Sequence, residues 1–237
     1  MLPATDECNL PTCRLSEALT SIIPATYWSK HSNEHRHLDA DFVEWVRQSL
    51  VNNQQSAKYI PSRYFRINAY LQACWLPIYA VLCHRAMAHR TIDCHSIPLC
   101  IEDGTVKAVL LASSKHQPII NVLHSTSWIS QFSAQSSAVF STIATALRLP
   151  NKTINELNAD VCKRAVSSLL HNRRINLTQA NSLLAEIKQA LDIKQIHYAQ
   201  MTSTTMNACN LRLQCCEHFR LEQRFCADCP KTPKQLV

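Results

Sequence analysis

The chain has 237 residues, 12 of them Cys and one of them Gly, with 46% apolar residues and 24 Lys+Arg against 17 Asp+Glu. That length allows one domain or two small ones, each able to bury a core. The lone Gly104, however, excludes a Walker P-loop and the dinucleotide fingerprint, which need two or more glycines, so ATP, NAD(P)H and FAD lack a recognisable binding loop and electrons for any redox step would come from a partner. The formal charge of +7 suits an anionic ligand, an acidic protein or a membrane surface; the basic residues are scattered rather than clustered with aromatics, and no nucleic acid is expected.

The opening stretch MLPATDECNLPTCRLSEALT lacks the basic and apolar regions of a signal peptide, and a short helical run is predicted over residues 15–23. From Asp39, the residues Phe42, Val43, Val46 and Leu50 recur at helical spacing behind an Asp suited to capping. A more apolar helix is predicted over 62–88, kinked by Pro77. Its stretch 69–83 is shorter than a bilayer span and carries Gln72, so it reads as a core helix. No transmembrane segment is expected, although a peripheral membrane contact stays open.

Residues 96–102 and 105–111 flank Asp103-Gly104, a dipeptide suited to a type I′ hairpin, and 118–124 offers a third strand. Helical periodicity resumes over 127–147, and Pro150 ends that segment. Thr153-x-x-Glu156 offers a capping box for a helix to about His171. Thr178 offers a cap for another, with Ala180, Leu183, Leu184, Ile187 and Leu191 on one face. The predicted fold class is α+β: mainly helical, with a small central antiparallel sheet and a cysteine-rich C-terminal tail. The division falls at residues 1–200 and 201–237, through a polar stretch at 201–210.

A cytoplasmic location is expected, and there thiols stay reduced. Twelve cysteines then point to a metal or redox site among inert core thiols rather than to a disulfide framework. Cys74, Cys83, Cys94, Cys100 and Cys162 lie among apolar residues and read as buried thiols. Cys215, Cys216, Cys226 and Cys229 instead crowd into QCCEHFRLEQRFCADCP, a Cys-Cys-x9-Cys-x2-Cys pattern. Four thiolates that close together in sequence can converge on zinc or on an iron–sulfur cluster. Zinc knuckles favour two Cys-x2-4-Cys pairs, and a vicinal pair fits them poorly. Iron–sulfur spacing is more varied, and Pro230 directly after Cys229 matches the Cys-Pro ending of some ferredoxin motifs.

The tail resembles that of the FhuF-like ferric-siderophore reductases, which carry a C-terminal Cys-Cys-x10-Cys-x2-Cys motif. The likeness runs through Arg212, Cys215, Cys216, Phe219, Arg220, Leu221, Cys226, Asp228, Cys229 and Pro230, with nine residues between the cysteine pairs where the family has ten. A second stretch, SRYFRINAYLQACWLPIYAVL, is similar to the family's central helix before its hairpin. The resemblance implies that Cys215, Cys216, Cys226 and Cys229 ligate a [2Fe–2S] cluster within 201–237, and that 1–200 binds a ferric siderophore, most plausibly of hydroxamate type. It further implies one-electron reduction of Fe(III) with release of Fe(II), and a ferredoxin or flavin reductase as electron donor.

Arg212, Arg220 and Arg224 surround the motif, where they could raise the cluster potential or attract an acidic donor or anionic siderophore; alone, each is equally an ordinary surface charge. Arg63 and Arg66 begin the central helix and are candidates to line a substrate cleft, against a plain surface role. His218 lies close to the vicinal pair but is superfluous beside four cysteines. The competing reading is a non-catalytic module, either zinc-stapled, which would be colourless, or siderophore-binding, which would not need the cysteine tail.

Overall fold

The computed structural model describes residues 28–29, 38, 40–56, 61–88, 91–94, 97, 99–102, 105–109, 122–123, 128–135, 138, 140–193, 213–217 and 229–231. Among them the chain is mostly helical: α1 (Ala40–Ser56), α2 (Ser62–Ala88), α3 (Trp128–Gln135), α4 (Ser141–Ala146), α5 (Asn151–His171) and α6 (Leu177–Ala190). The strands are short: β1 (Trp28–Ser29), β2 (Thr91–Ile92), β3 (Leu99–Glu102), β4 (Thr105–Val109) and β5 (Val122–Leu123). The expected run at 15–23 and the stretch 201–210 lie outside the described residues. No described helix is long and apolar enough to cross a membrane.

The core is built around α2. Ile67, Tyr70, Ala73, Cys74, Ile78, Leu82 and Cys83 on it are fully buried, too many to occupy one stripe, as expected of a helix covered on several sides. It packs against α5 most extensively, and also against α1, α4 and β4. The helix is continuous through Pro77, whose missing N–H leaves one carbonyl of the preceding turn without its usual donor. Further out, α5 packs on α6 and α6 on α3. Phe42 and Val46 carry the apolar face of α1 into the core, as their helical spacing predicts.

The hairpin forms where Asp103-Gly104 calls for it. Glu102 pairs with Thr105, leaving a two-residue connection, and β3 and β4 run antiparallel. The rest of the sheet differs from expectation. Its third strand is β1, paired in parallel with β4, so the sheet is mixed. The strand expected at 118–124 is the short β5, which pairs antiparallel with β2 in a separate ladder. The periodicity over 127–147 resolves into two helices, α3 and α4, rather than one.

Both expected caps also shift. Pro150 is the N-cap of α5, without a side-chain cap bond, and Thr153 is buried inside the helix. Proline is well suited to a helix start because its fixed φ and missing N–H cost nothing there. The capping box belongs instead to α6: Asn176 Oδ1 accepts from Gln179 N–H, and Asn176 N–H donates to the Gln179 side chain. Asn176 precedes Thr178 by half a turn and, as Asn, is the better cap.

Candidate metal centre

The tail reaches its place through the backbone of Leu213 and Gln214. Both N–H groups donate to the carboxylate of Asp160, at 2.7 Å to Oδ1 and 3.0 Å to Oδ2. Asp160 lies on α5 and is buried, so its charge is met by two backbone dipoles where water is scarce, a strong form of hydrogen bond. Leu213 packs against the core, and Cys216 is part of it. A long contact of 3.5 Å from Asn68 Nδ2, on α2, reaches the Cys216 carbonyl.

Cys215, Cys216 and Cys229 are all buried and outside any disulfide. The sulfurs of Cys215 and Cys229 lie 3.7 Å apart although the residues are 14 apart in sequence. A disulfide would need about 2 Å. Two thiolates on one tetrahedral metal, with metal–sulfur bonds of about 2.3 Å, stand about 3.8 Å apart. The observed separation therefore matches one edge of such a site. Burial pushes the Cys215 thiol up to about 11, against a lowering contribution from the Glu217 N–H that donates to its sulfur at 3.3 Å. A bound cation would reverse that balance by holding the sulfur as thiolate.

Glu217 closes the arrangement. Its φ of 60° turns the chain immediately after the vicinal cysteines, in the left-handed region that residues with a Cβ occupy at some cost. The turn brings its N–H back to Cys215 and buries its carboxylate. Oε1 lies 3.5 Å from Arg63 Nε, at the start of α2, and 3.6 Å from Lys231 Nζ, two residues past Cys229. One side chain thus ties both cysteine-bearing segments to the central helix.

No protein-family model, curated protein or solved structure matches the chain.

The predicted site residues divide accordingly. Cys215 and Cys229 meet; Cys216 is buried nearby on the core side; Cys226, Arg212, Arg220, Arg224 and His218 lie outside the described residues. Arg63, half-exposed, contacts the Glu217 carboxylate. Arg66 is occupied by the Ser62 hydroxyl and carbonyl and, at 3.5 Å, by the Arg148 carbonyl. Among the described residues no three His, Cys, Asp or Glu groups converge as ligands of one metal. Sequence reasoning missed Asp160, Glu217 and Lys231. Asp160 had a signal: an acid set between Ala159 and Val161, flanked by the buried Leu157 and Cys162 of one helix. Glu217 and Lys231 had none beyond closeness to cysteines.

An open groove of about 780 Å³ lies between α1 and α4, with Glu44, Arg47 and Arg148 on its walls. Arg47 is paired with Glu44 at 3.0 Å.

Proposed function

We propose that the chain is an iron–sulfur oxidoreductase that reduces a ferric siderophore. Cys215, Cys216, Cys226 and Cys229 would hold a [2Fe–2S] cluster, which when bound supplies one electron at a time. The observation that carries this reading is the 3.7 Å approach of the Cys215 and Cys229 sulfurs, the separation two thiolates adopt on one tetrahedral metal.

Ferric ion is small and hard and is gripped by anionic oxygen donors. With one charge fewer, ferrous ion is held more weakly and leaves. The chain's own residues therefore have to fix the sulfurs, shield them from water and dock a bulky complex nearby. Asp160 and Glu217 do the first, through bonds to the backbone and to Arg63 and Lys231. Burial does the second. For the third, Arg63 and Arg66 at the start of α2 are the candidates, and the groove between α1 and α4 is a further cavity. The missing glycine loops assign the electrons to a separate donor, a ferredoxin or flavin reductase.

The same sulfur separation also fits zinc, which keeps a zinc-stapled, non-catalytic binding module as the second reading. Anaerobic purification separates them. The cluster reading expects red-brown protein with about two irons and two sulfides per chain. Stoichiometric zinc in colourless protein would replace it with the second reading.

A further inference from the structure

We infer that Cys215 and Cys229, the first and last of the four tail cysteines, bind one and the same iron, leaving Cys216 and Cys226 to the other. This pairing rests on the cluster reading above. In a binuclear cluster only sulfurs that share an iron stand at a tetrahedral edge; those on different irons are held farther apart. The Cys215 and Cys229 sulfurs, at 3.7 Å, already stand at that edge. Cys216, although adjacent in sequence to Cys215, packs with the apolar core cluster, to which neither Cys215 nor Cys229 belongs.

The surrounding bonds hold the same pair together without the metal. Glu217 N–H donates to the Cys215 sulfur, and the Glu217 carboxylate reaches Lys231, on the segment that carries Cys229. Arg63 anchors that carboxylate from α2. A pairing in sequence order, Cys215 with Cys216 and Cys226 with Cys229, would require the Cys215 and Cys229 sulfurs to move apart from their 3.7 Å contact.

Two measurements test the pairing. In reduced protein reconstituted with iron-57, the ferrous and ferric sites give separate Mössbauer doublets, and a serine oxygen perturbs the iron it replaces a sulfur on. Cys215→Ser and Cys229→Ser are expected to alter one and the same doublet, and Cys216→Ser and Cys226→Ser the other. Any other grouping in protein that carries the cluster overturns the pairing alone. Where the serine variants fail to retain the cluster, the wild-type apoprotein is treated with the thiol oxidant diamide under native conditions and its disulfides are mapped by mass spectrometry. A dominant Cys215–Cys229 link is expected. A dominant Cys226–Cys229 or Cys215–Cys216 link overturns the pairing. Wild-type chain that takes up neither iron nor sulfide refutes the cluster reading, and the shared iron with it, whichever disulfide forms.

Discussion

Asp160 illustrates how much one side chain of the helical body controls in the tail. Its two backbone hydrogen bonds, at 2.7 and 3.0 Å, link α5 to the cysteine segment. Asp160→Ala leaves two N–H donors without that acceptor, a loss of about 1–3 kcal/mol for each one that stays dry. We expect metal retention to fall several-fold against a chelator while far-ultraviolet circular dichroism stays that of the wild type. The buried bond from Tyr70 Oη to Asn158 Oδ1, 2.8 Å long, is a purely structural counterpart. A double-mutant cycle on Tyr70→Phe and Asn158→Ala should show coupling of about 0.5–3 kcal/mol in urea unfolding with metal content unchanged. Cys83 and Cys162 add a pH signature. Burial pushes both thiols well above the ordinary range, so the folded chain keeps protons that the unfolded chain releases above about pH 8.5. Their contribution is complete below that pH and declines as pH rises toward the folded values. The urea midpoint should therefore drop from pH 8 to pH 10, and less steeply in Cys83→Ala.

At the level of elements, the scarcity of glycine has a visible cost. Helices α4, α5 and α6 each end in the same paired closure. Arg148 and Leu149 N–H reach Thr145 and Ala144; Arg173 and Arg174 N–H reach Leu170 and Leu169; Asp192 and Ile193 N–H reach Gln189 and Lys188. This is the Schellman motif, whose left-handed position usually belongs to glycine. Here it is held by Arg148, Arg173 and Asp192, with φ of 53°, 54° and 49°. Arg173→Gly and Asp192→Gly should each raise stability by a few tenths to about 1 kcal/mol, the relief of the Cβ clash less the added freedom of the unfolded chain. At the other end of α6, Asn176→Ala should cost about 0.5–2 kcal/mol, and Thr178→Ala much less, as differential scanning calorimetry can check. Sequence patterning located α5 and α6 well because burial fixes the spacing of apolar residues. It misplaced the caps because Asn176 and Thr178 are both competent, and only the path of the chain into the helix chooses between them.

For the whole molecule, the cysteine site is continuous with the core. Cys216 and Leu213 pack against the same cluster as α2 and α5, so a metal held there as proposed would be linked to folding: whatever binds only the folded state stabilises it by mass action. Under the cluster or zinc reading, removal of the metal should lower the melting temperature of the helical body, and Asp160→Ala should shrink the difference between loaded and stripped protein. The helical class and the hairpin were legible because each depends on local chemistry: apolar spacing and a Gly-containing turn. The parallel seating of Trp28–Ser29 beside β4, the Asp160 anchor and the Glu217 bridge were not. Each joins residues far apart in the chain, and no local pattern encodes such a partner.

The anchor has a consequence for the order of events at the ribosome. Domains fold largely as the chain emerges, at about 5–20 residues per second, and α2 and α5 are synthesised before residues 213–231. Arg63 and Asp160 are thus made before Glu217, Leu213 and Gln214, the tail residues that they bind. The nascent body presents a prepared berth, and the sulfurs are delivered to it last. Were the proposed cluster bound, its insertion would be deferred to a scaffold that has already folded.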